Sequence, residues 1–246
     1  ETARMKEDFW LMGEVIHGDY SRWVNPEMLH SVTNYELHKS LYSGFNDHNF
    51  FEIAHNVRRL EAIGRQLYTF VDNHDEDRIA SKLKLKEHLI PIYLCLFTLP
   101  GIPSIYYGGE WGVEGKRTNT SDEALRPAIS ISQSDGLKCE LTEFISAIGR
   151  IHDENEALHG GRYQELLLTN RQYAFARHGE DSVIITAVNN DDNEVEIDVP
   201  VPVPAKEAVS LLEDGSGEAV LPVSDGKVHI KLRGNRGAVL KLKGEN

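Results

Sequence analysis

Residues 67–75 read LYTFVDNHD: an apolar run, LYTFV, passes without a break into Asp72, Asn73, His74 and Asp75. A short stretch of bulky and β-branched residues suits a buried strand. The four residues that follow carry hydrogen-bonding groups that proteins rarely bury without partners. A strand that ends this way has two explanations. The polar cluster caps the next helix, as Asx residues often do, or it forms the rim of a site at the C-terminal end of a parallel strand.

The flanking sequence repeats the pattern. FWLMGEV (9–15) is strand-like and ends near Glu14, and VTNYEL (32–37) is a second strand candidate. Phe50, Ile53, Val57, Leu60, Ile63 and Leu67 recur at helical spacing, so an amphipathic helix precedes the third strand, LYTFV. A helical run over residues 80–99 contains Pro91, which predicts a kink there. PGIP (100–103) is a turn signal and SIYYGG (104–109) a fourth strand ending in glycines. A last helix, from Thr142 to about Leu158, stops before Gly160 and Gly161. This rhythm predicts parallel βαβ units over residues 1–160. Beyond Gly161 the texture changes. RYQELLLT, QYAFARH, SVIITAVN, NEVEIDV, EAVSLLE, KVHIKL and GAVLKLK are separated by turn residues. They predict an antiparallel β-sandwich of roughly eight strands over residues 161–246, with VPVPVP (199–204) as a Pro-broken connector or edge. The fold class is therefore α/β followed by all-β.

The chain has 246 residues, enough for one large domain or two modest ones, and 40% of them are hydrophobic, enough to bury a core. Its 26 Lys and Arg against 39 Asp and Glu leave a net charge of −13, which argues against nucleic acid and anionic membrane surfaces as partners. The balance suits a neutral ligand. Two cysteines, Cys95 and Cys139, make no disulfide framework. The longest apolar stretch, Leu89 to Leu99, falls short of the ~20 residues that span a bilayer. No signal peptide is visible, and a cytoplasmic location is expected. ETARMKEDFW (1–10) opens on Glu1 and reads as the tail of a helix cut upstream.

Three strand ends carry unusual side chains: Glu14 and His17 after the first, DNHD after the third, and Tyr106, Tyr107, Glu110 and Trp111 around the fourth. His74, Asp75 and Asp77 have the chemistry for a cation, yet HExxH, paired CxxC and EF-hand patterns are missing, so no metal site is assigned. A GxSxG nucleophile turn and a Walker loop are missing too. What remains is a carboxylic acid on one strand facing a His-Asp pair on another. That set suits acetal hydrolysis, in which an acid protonates the leaving oxygen and an anion stabilises a cationic transition state.

GEVIHG around Glu14, FVDNHD (70–75) and GIPSIYYGGEWG (101–112) resemble, in order, three signature segments of the α-amylase family, glycoside hydrolase family thirteen. The resemblance implies the fifth, seventh and eighth strands of a (β/α)8 TIM barrel, so residues 1–160 would be the C-terminal half of the catalytic barrel. The closing sandwich would be the family's C-terminal domain. It implies a retaining hydrolase of α-glucosidic bonds, with starch-like or maltodextrin-like substrates and maltooligosaccharides as ligands. By the same resemblance Glu14 is the general acid/base, His74 binds sugar hydroxyls, and Asp75 is the second carboxylate that stabilises the transition state. Arg78 resembles the family's frequent arginine at that place and is assigned to substrate binding, with His17 and Tyr107. Tyr35 and Trp111 are further candidates to line sugar subsites, while Glu110 and Glu114 read as loop structure. No organic cofactor is implied, and the family's calcium sites would mostly lie outside this chain. The family's nucleophilic aspartate follows an arginine two residues earlier at the end of the fourth barrel strand, and its Asn-His pair ends the third; neither segment is in this sequence. The expectation is therefore a chain inactive alone, with the other half of the barrel, or a second copy, as partner. Alternatives are a transglycosidase or sugar isomerase on the same site, or a non-catalytic carbohydrate-binding homologue.

Overall fold

Four short strands run parallel, side by side in chain order: β1 (Met12–Gly13), β2 (Ser31–Val32), β3 (Tyr68–Thr69) and β4 (Ile102–Pro103). A parallel bridge between Thr33 and Tyr68 joins the inner pair. The computed structural model describes residues 6, 9–130, 132, 135–212 and 219–244. Helices α1 (Tyr35–Asn46) and α2 (Phe50–Arg59) link β2 to β3, while α3 (Ile79–Lys82) and α4 (Leu89–Thr98) link β3 to β4. These are the parallel units that the alternating pattern predicts. After β4 come a long loop, α5 (Glu140–Glu154) and α6 (Glu156–Gly160). The helix tail read into ETARMKEDFW lies, for most of its length, outside the described residues.

Three local expectations give way to specific side chains. VTNYEL is not one strand: β2 stops at Val32, and Asn34 accepts the Leu37 N–H at 2.9 Å as the N-cap of α1. Tyr35 thereby moves from a strand into the first turn of a helix. The break in residues 80–99 falls at 83–85 rather than at Pro91, which sits in the first turn of α4, where its missing N–H costs nothing. SIYYGG is not a strand either. Gly108 and Gly112 adopt φ of +87° and +66°, coiling the chain into a 3-10 turn over Gly109–Trp111.

Every residue of α4 except Ile90 is buried. This largely apolar helix, Cys95 included, packs against α1, α5 and the sheet beyond, so it reads as a core helix rather than an amphipathic one. Among the described residues no helix is long and apolar enough to cross a membrane.

From Arg162 onward every described element is a strand: β5 (Arg162–Leu168), β6 (Gln172–His178), β7 (Val183–Asn189), β8 (Val195–Pro200), β9 (Glu207–Ser210), β10 (Val220–Ser224), β11 (Lys227–Leu232) and β12 (Gly237–Lys243). Their order is β5-β6-β7-β12-β9-β10-β11-β8, all neighbours antiparallel, and β8 folds back against β5. VPVPVP divides between the two roles expected of it: Val199 and Pro200 close β8, the last strand in the sheet order, and residues 201–204 form a connector, whereas β10 runs through Pro222 and escapes a reading based on Pro as a breaker. The final Glu213 of the EAVSLLE run lies outside the described residues. Alternation along the central strands serves two cores. Tyr173, Phe175, Ile184 and Val188 face the helices, while Ala174, Ala176, Ile185 and Ala187 face the interior between the folded halves of the sheet. Arg177 shares the helix-facing side of β6. Fully buried, it donates from Nη1 to the Thr98 carbonyl at 2.8 Å and from Nε to the Gly161 carbonyl at 3.2 Å, the C-terminal ends of α4 and α6.

Candidate active site

Because β1 to β4 run parallel, their C-terminal ends share one edge, and the unusual side chains gather there. Glu14 follows β1 directly and is exposed. The Tyr35 hydroxyl, brought to the end of β2 by the Asn34 cap, donates to Glu14 Oε1 at 2.7 Å. Past β3, Asn73 Oδ1 accepts the backbone N–H groups of Asp75 and Glu76, each at 2.9 Å. That Asx turn folds DNHD back on itself and presents His74 and Asp75 to solvent. One polar atom each of Glu14, His74 and Asp75 lies within 4.8 Å of the others. Two strand ends far apart in sequence thus bring two carboxyl groups and an imidazole together.

The charge on Asp75 is heavily engaged. His74 Nε2 is 3.3 Å from Oδ2, and Arg126 Nη2 is 2.8 Å from Oδ1. Arg117 stands 3.9 Å away and donates to the Asp75 carbonyl at 2.6 Å, while Arg126 Nε donates to the His74 carbonyl at 3.0 Å. Both arginines come from the loop after β4, and the sequence alone gives no signal for them. A cation held by Glu14, His74 and Asp75 would meet the Arg126 guanidinium on the same carboxylate. Asp77, the third residue of the cation test, turns away to accept the Arg117 N–H at 2.7 Å.

Beneath the rim lies a buried layer. Asp72 accepts the Ile79 N–H at 3.1 Å and stands 3.7 Å from Arg78 Nε. Burial raises the Asp72 pKa, and the Arg78 charge opposes that rise. Arg78 is fully buried, so the sugar contact expected of it is out of reach in this arrangement. Its guanidinium instead lies 4.7 Å from the Tyr106 ring centroid and donates to the Tyr107 carbonyl. A Cβ at Gly108 would come within 2.5 Å of Arg78 Nη2, which is why the turn after the tyrosines needs glycine there. Arg78 therefore ties the DNHD loop to the YYGG turn. A second anchor holds Glu76. The His38 imidazole at 3.7 Å and the Lys82 ammonium at 2.5 Å bring its pKa down to about 2 despite partial burial.

The remaining sequence candidates divide. Tyr107 is 41% exposed at the rim, with its hydroxyl on the Pro127 carbonyl at 3.0 Å, the Tyr106 ring edge-to-face with it at 4.7 Å and the Arg78 guanidinium 5.6 Å from its ring centroid. His17 is exposed past β1 and makes no hydrogen bond or ion pair among the described residues. Tyr35 is buried, so it offers the site a hydroxyl rather than a stacking face. Chemically, the edge combines an exposed carboxyl able to exchange a proton with a second carboxylate held by cations. That is the requirement for acid-assisted cleavage of an acetal.

The sequence matches the family model described as "Alpha amylase, catalytic domain" over residues 1–154. A cyclomaltodextrinase of Thermoanaerobacter pseudethanolicus is 26% identical over 199 residues, covering 77% of this chain and 33% of that protein. A cyclomaltodextrin glucanotransferase of a Bacillus species (strain 1-1) is 29% identical over 125 residues, covering 51% of this chain and 17% of that protein. The crystal structure of the α-amylase from Geobacillus thermoleovorans, complexed with acarbose, superposes with a TM-score of 0.85 at 20% identity, covering 100% of this chain and 56% of that one. At that identity the likeness is one of fold. The chain spans about a third of the cyclomaltodextrinase and a little over half of the solved α-amylase.

Proposed function

The chain belongs to the α-amylase family, and on that premise we propose that it carries the acid/base side of a retaining glycosidase acting on α-glucosidic bonds of starch-like or maltodextrin-like substrates. Glu14 protonates the leaving oxygen and later deprotonates the incoming water. Asp75 stabilises the oxocarbenium-like transition state, and His74 binds hydroxyls of the same sugar. Tyr107 lines the rim, with His17 as an outlying contact. The observation that supports this reading is the convergence of Glu14, His74 and Asp75 within 4.8 Å. By distance alone Asp75 also suits the nucleophile of a retaining enzyme, whose carboxyl groups stand ~5–5.5 Å apart. Its engagement by His74 and Arg126, and the family's pattern of an aspartate two residues after an arginine, speak against that role. No Arg-x-Asp occurs in residues 1–246.

Residues 1–160 then form the C-terminal half of a (β/α)8 barrel and residues 161–246 its C-terminal β-sandwich. The open edges of the four-stranded sheet are completed by the other barrel half, with self-association as the competing partner. The glucanotransferase relative favours transglycosylation as a second reading, since both reactions share the first chemical step. Glu14→Gln in the intact enzyme tests the role: turnover of maltotriose should collapse while binding persists. Retention of more than about a tenth of the wild-type rate would remove Glu14 from it. Chromatography of the products separates hydrolysis from transfer.

A further inference from the structure

We propose that Tyr35 is a positioning residue for the acid/base: a one-way hydrogen-bond chain, Asn73 to Tyr35 to Glu14, assigns Glu14 Oε2 as the oxygen that carries the transferable proton. The inference rests on the reading of Glu14 as acid/base. Its direction follows from the donor inventory. Asn73 Oδ1 is occupied by the N–H groups of Asp75 and Glu76, so the amide orientation is fixed and Nδ2 points at the Tyr35 hydroxyl, 2.9 Å away. An amide nitrogen only donates. The phenol oxygen therefore accepts from Asn73 and spends its single proton on Glu14 Oε1, at 2.7 Å. Burial, then the bond to Glu14, holds the Tyr35 phenol well above its ordinary pKa, so that proton stays in place. A proton on Oε1 would face the tyrosine proton head-on. In the acid form it sits on Oε2, and on bond cleavage it passes from Oε2 to the leaving oxygen, which takes the electron pair of the broken C–O bond. The carboxylate left behind keeps the Tyr35 hydrogen bond.

The surroundings fix the relay. Tyr35 is set by the capped first turn of α1, and its ring packs edge-on against Phe70 with centroids 5.0 Å apart. The chain thus couples the ends of three strands through one phenol.

The test compares three variants of the intact enzyme that carries this chain, on maltotriose and on an aryl α-maltoside with a good leaving group, through kcat/KM. An activated aryl group departs with little protonation, so only the first substrate depends on proton delivery. Tyr35→Phe keeps the ring and removes the relay. It should lower kcat/KM on maltotriose by about tenfold to a hundredfold, the range for a lost hydrogen bond to a charged group. The aryl substrate should change by no more than about twofold. Asn73→Asp keeps an oxygen for the two N–H groups but replaces the donor facing Tyr35 with an acceptor, which draws the phenol proton away from Glu14. It should show the same split and stands in if Tyr35→Phe does not fold. Equal losses on both substrates, or none on either, overturn the inference. Glu14→Gln keeps the two failures apart. If it shows the split and the relay variants do not, this inference alone falls. If it shows no split, the acid/base reading falls and takes the inference with it.

Discussion

Arg177 is a buried cation whose hydrogen-bond acceptors are helix ends rather than an acid, and substituting it measures what those ends contribute. Burial lowers its pKa from the ordinary guanidinium range to about 10, a desolvation cost of about 3 kcal/mol. Against this stand two hydrogen bonds from a charged donor, about 1.5–3 kcal/mol each, to carbonyls that carry the negative ends of two helix dipoles. Arg177→Met removes both sides of that balance and leaves the Thr98 and Gly161 carbonyls without their guanidinium donor. We expect a net loss of about 2 kcal/mol, since orphaned buried carbonyls cost more than a missing bond. With a urea m-value of about 3 kcal/mol/M, the unfolding midpoint should fall by about 0.7 M. Arg177→Lys should be worse than Met. An ammonium is more strongly hydrated, and it lacks the planar fork that reaches two carbonyls on different helices. Urea denaturation followed by circular dichroism reads both variants. A Met variant as stable as wild type, or a Lys variant indistinguishable from it, would refute the reasoning, because the first denies the helix ends any need of the cation and the second denies the fork.

Other expectations address the site. Asp75→Asn in the intact enzyme should lower kcat by about 10²–10³ with a much smaller change in KM, the pattern of transition-state stabilisation; steady-state kinetics showing the reverse would make Asp75 a binding residue. Glu76 is held at about 2, below its ordinary 4.5, so its stabilisation is complete above pH 4.5 and disappears as the pH falls through 2. Discounted for its exposed part, that amounts to about 1–2 kcal/mol. Lys82→Met should remove much of it at pH 6 and little at pH 2, where Glu76 is half protonated, as denaturation at the two pH values would show. Gly108→Ala meets both a φ of +87° and Arg78 Nη2, and should cost about 1–3 kcal/mol in thermal denaturation. Residues 1–246 expressed alone should release no reducing sugar from soluble starch, since a retaining mechanism needs a nucleophilic carboxylate that the family places in an Arg-x-Asp segment.

The sequence declares the parallel units because apolar runs and helical spacing survive in it, and it declares the β-rich half because turn residues punctuate every strand. Strand lengths are harder to see. β1 to β4 pair regularly over two residues each, and whether Tyr35 extends β2 or opens α1 depends on one side chain, Asn34, bonding to Leu37. Glu14, His74 and Asp75 are legible because they sit beside strand ends. Arg78 shares that position, yet burial decides its role, and burial under the Tyr106–Gly109 turn is set by residues some thirty positions away. Arg117 and Arg126 lie in the loop after β4, more than forty residues from the Asp75 they reach and without periodicity, so no local pattern announces them.

β6, β7 and β12 carry apolar side chains on both faces, and this bears on how the protein can be taken apart. The chain changes texture at Gly161, which invites a cut there to exchange or express the β-rich half as a module. Such a cut would strip the cover from Tyr173, Phe175, Ile184, Val188 and Val239 together, a contiguous greasy wall of the kind that drives aggregation. The helices would lose their floor in the same stroke. Shuffling between relatives therefore has to carry α4 and α5 along with the strands they cover, and a crossover placed upstream of α4 is the one that keeps that shared wall intact.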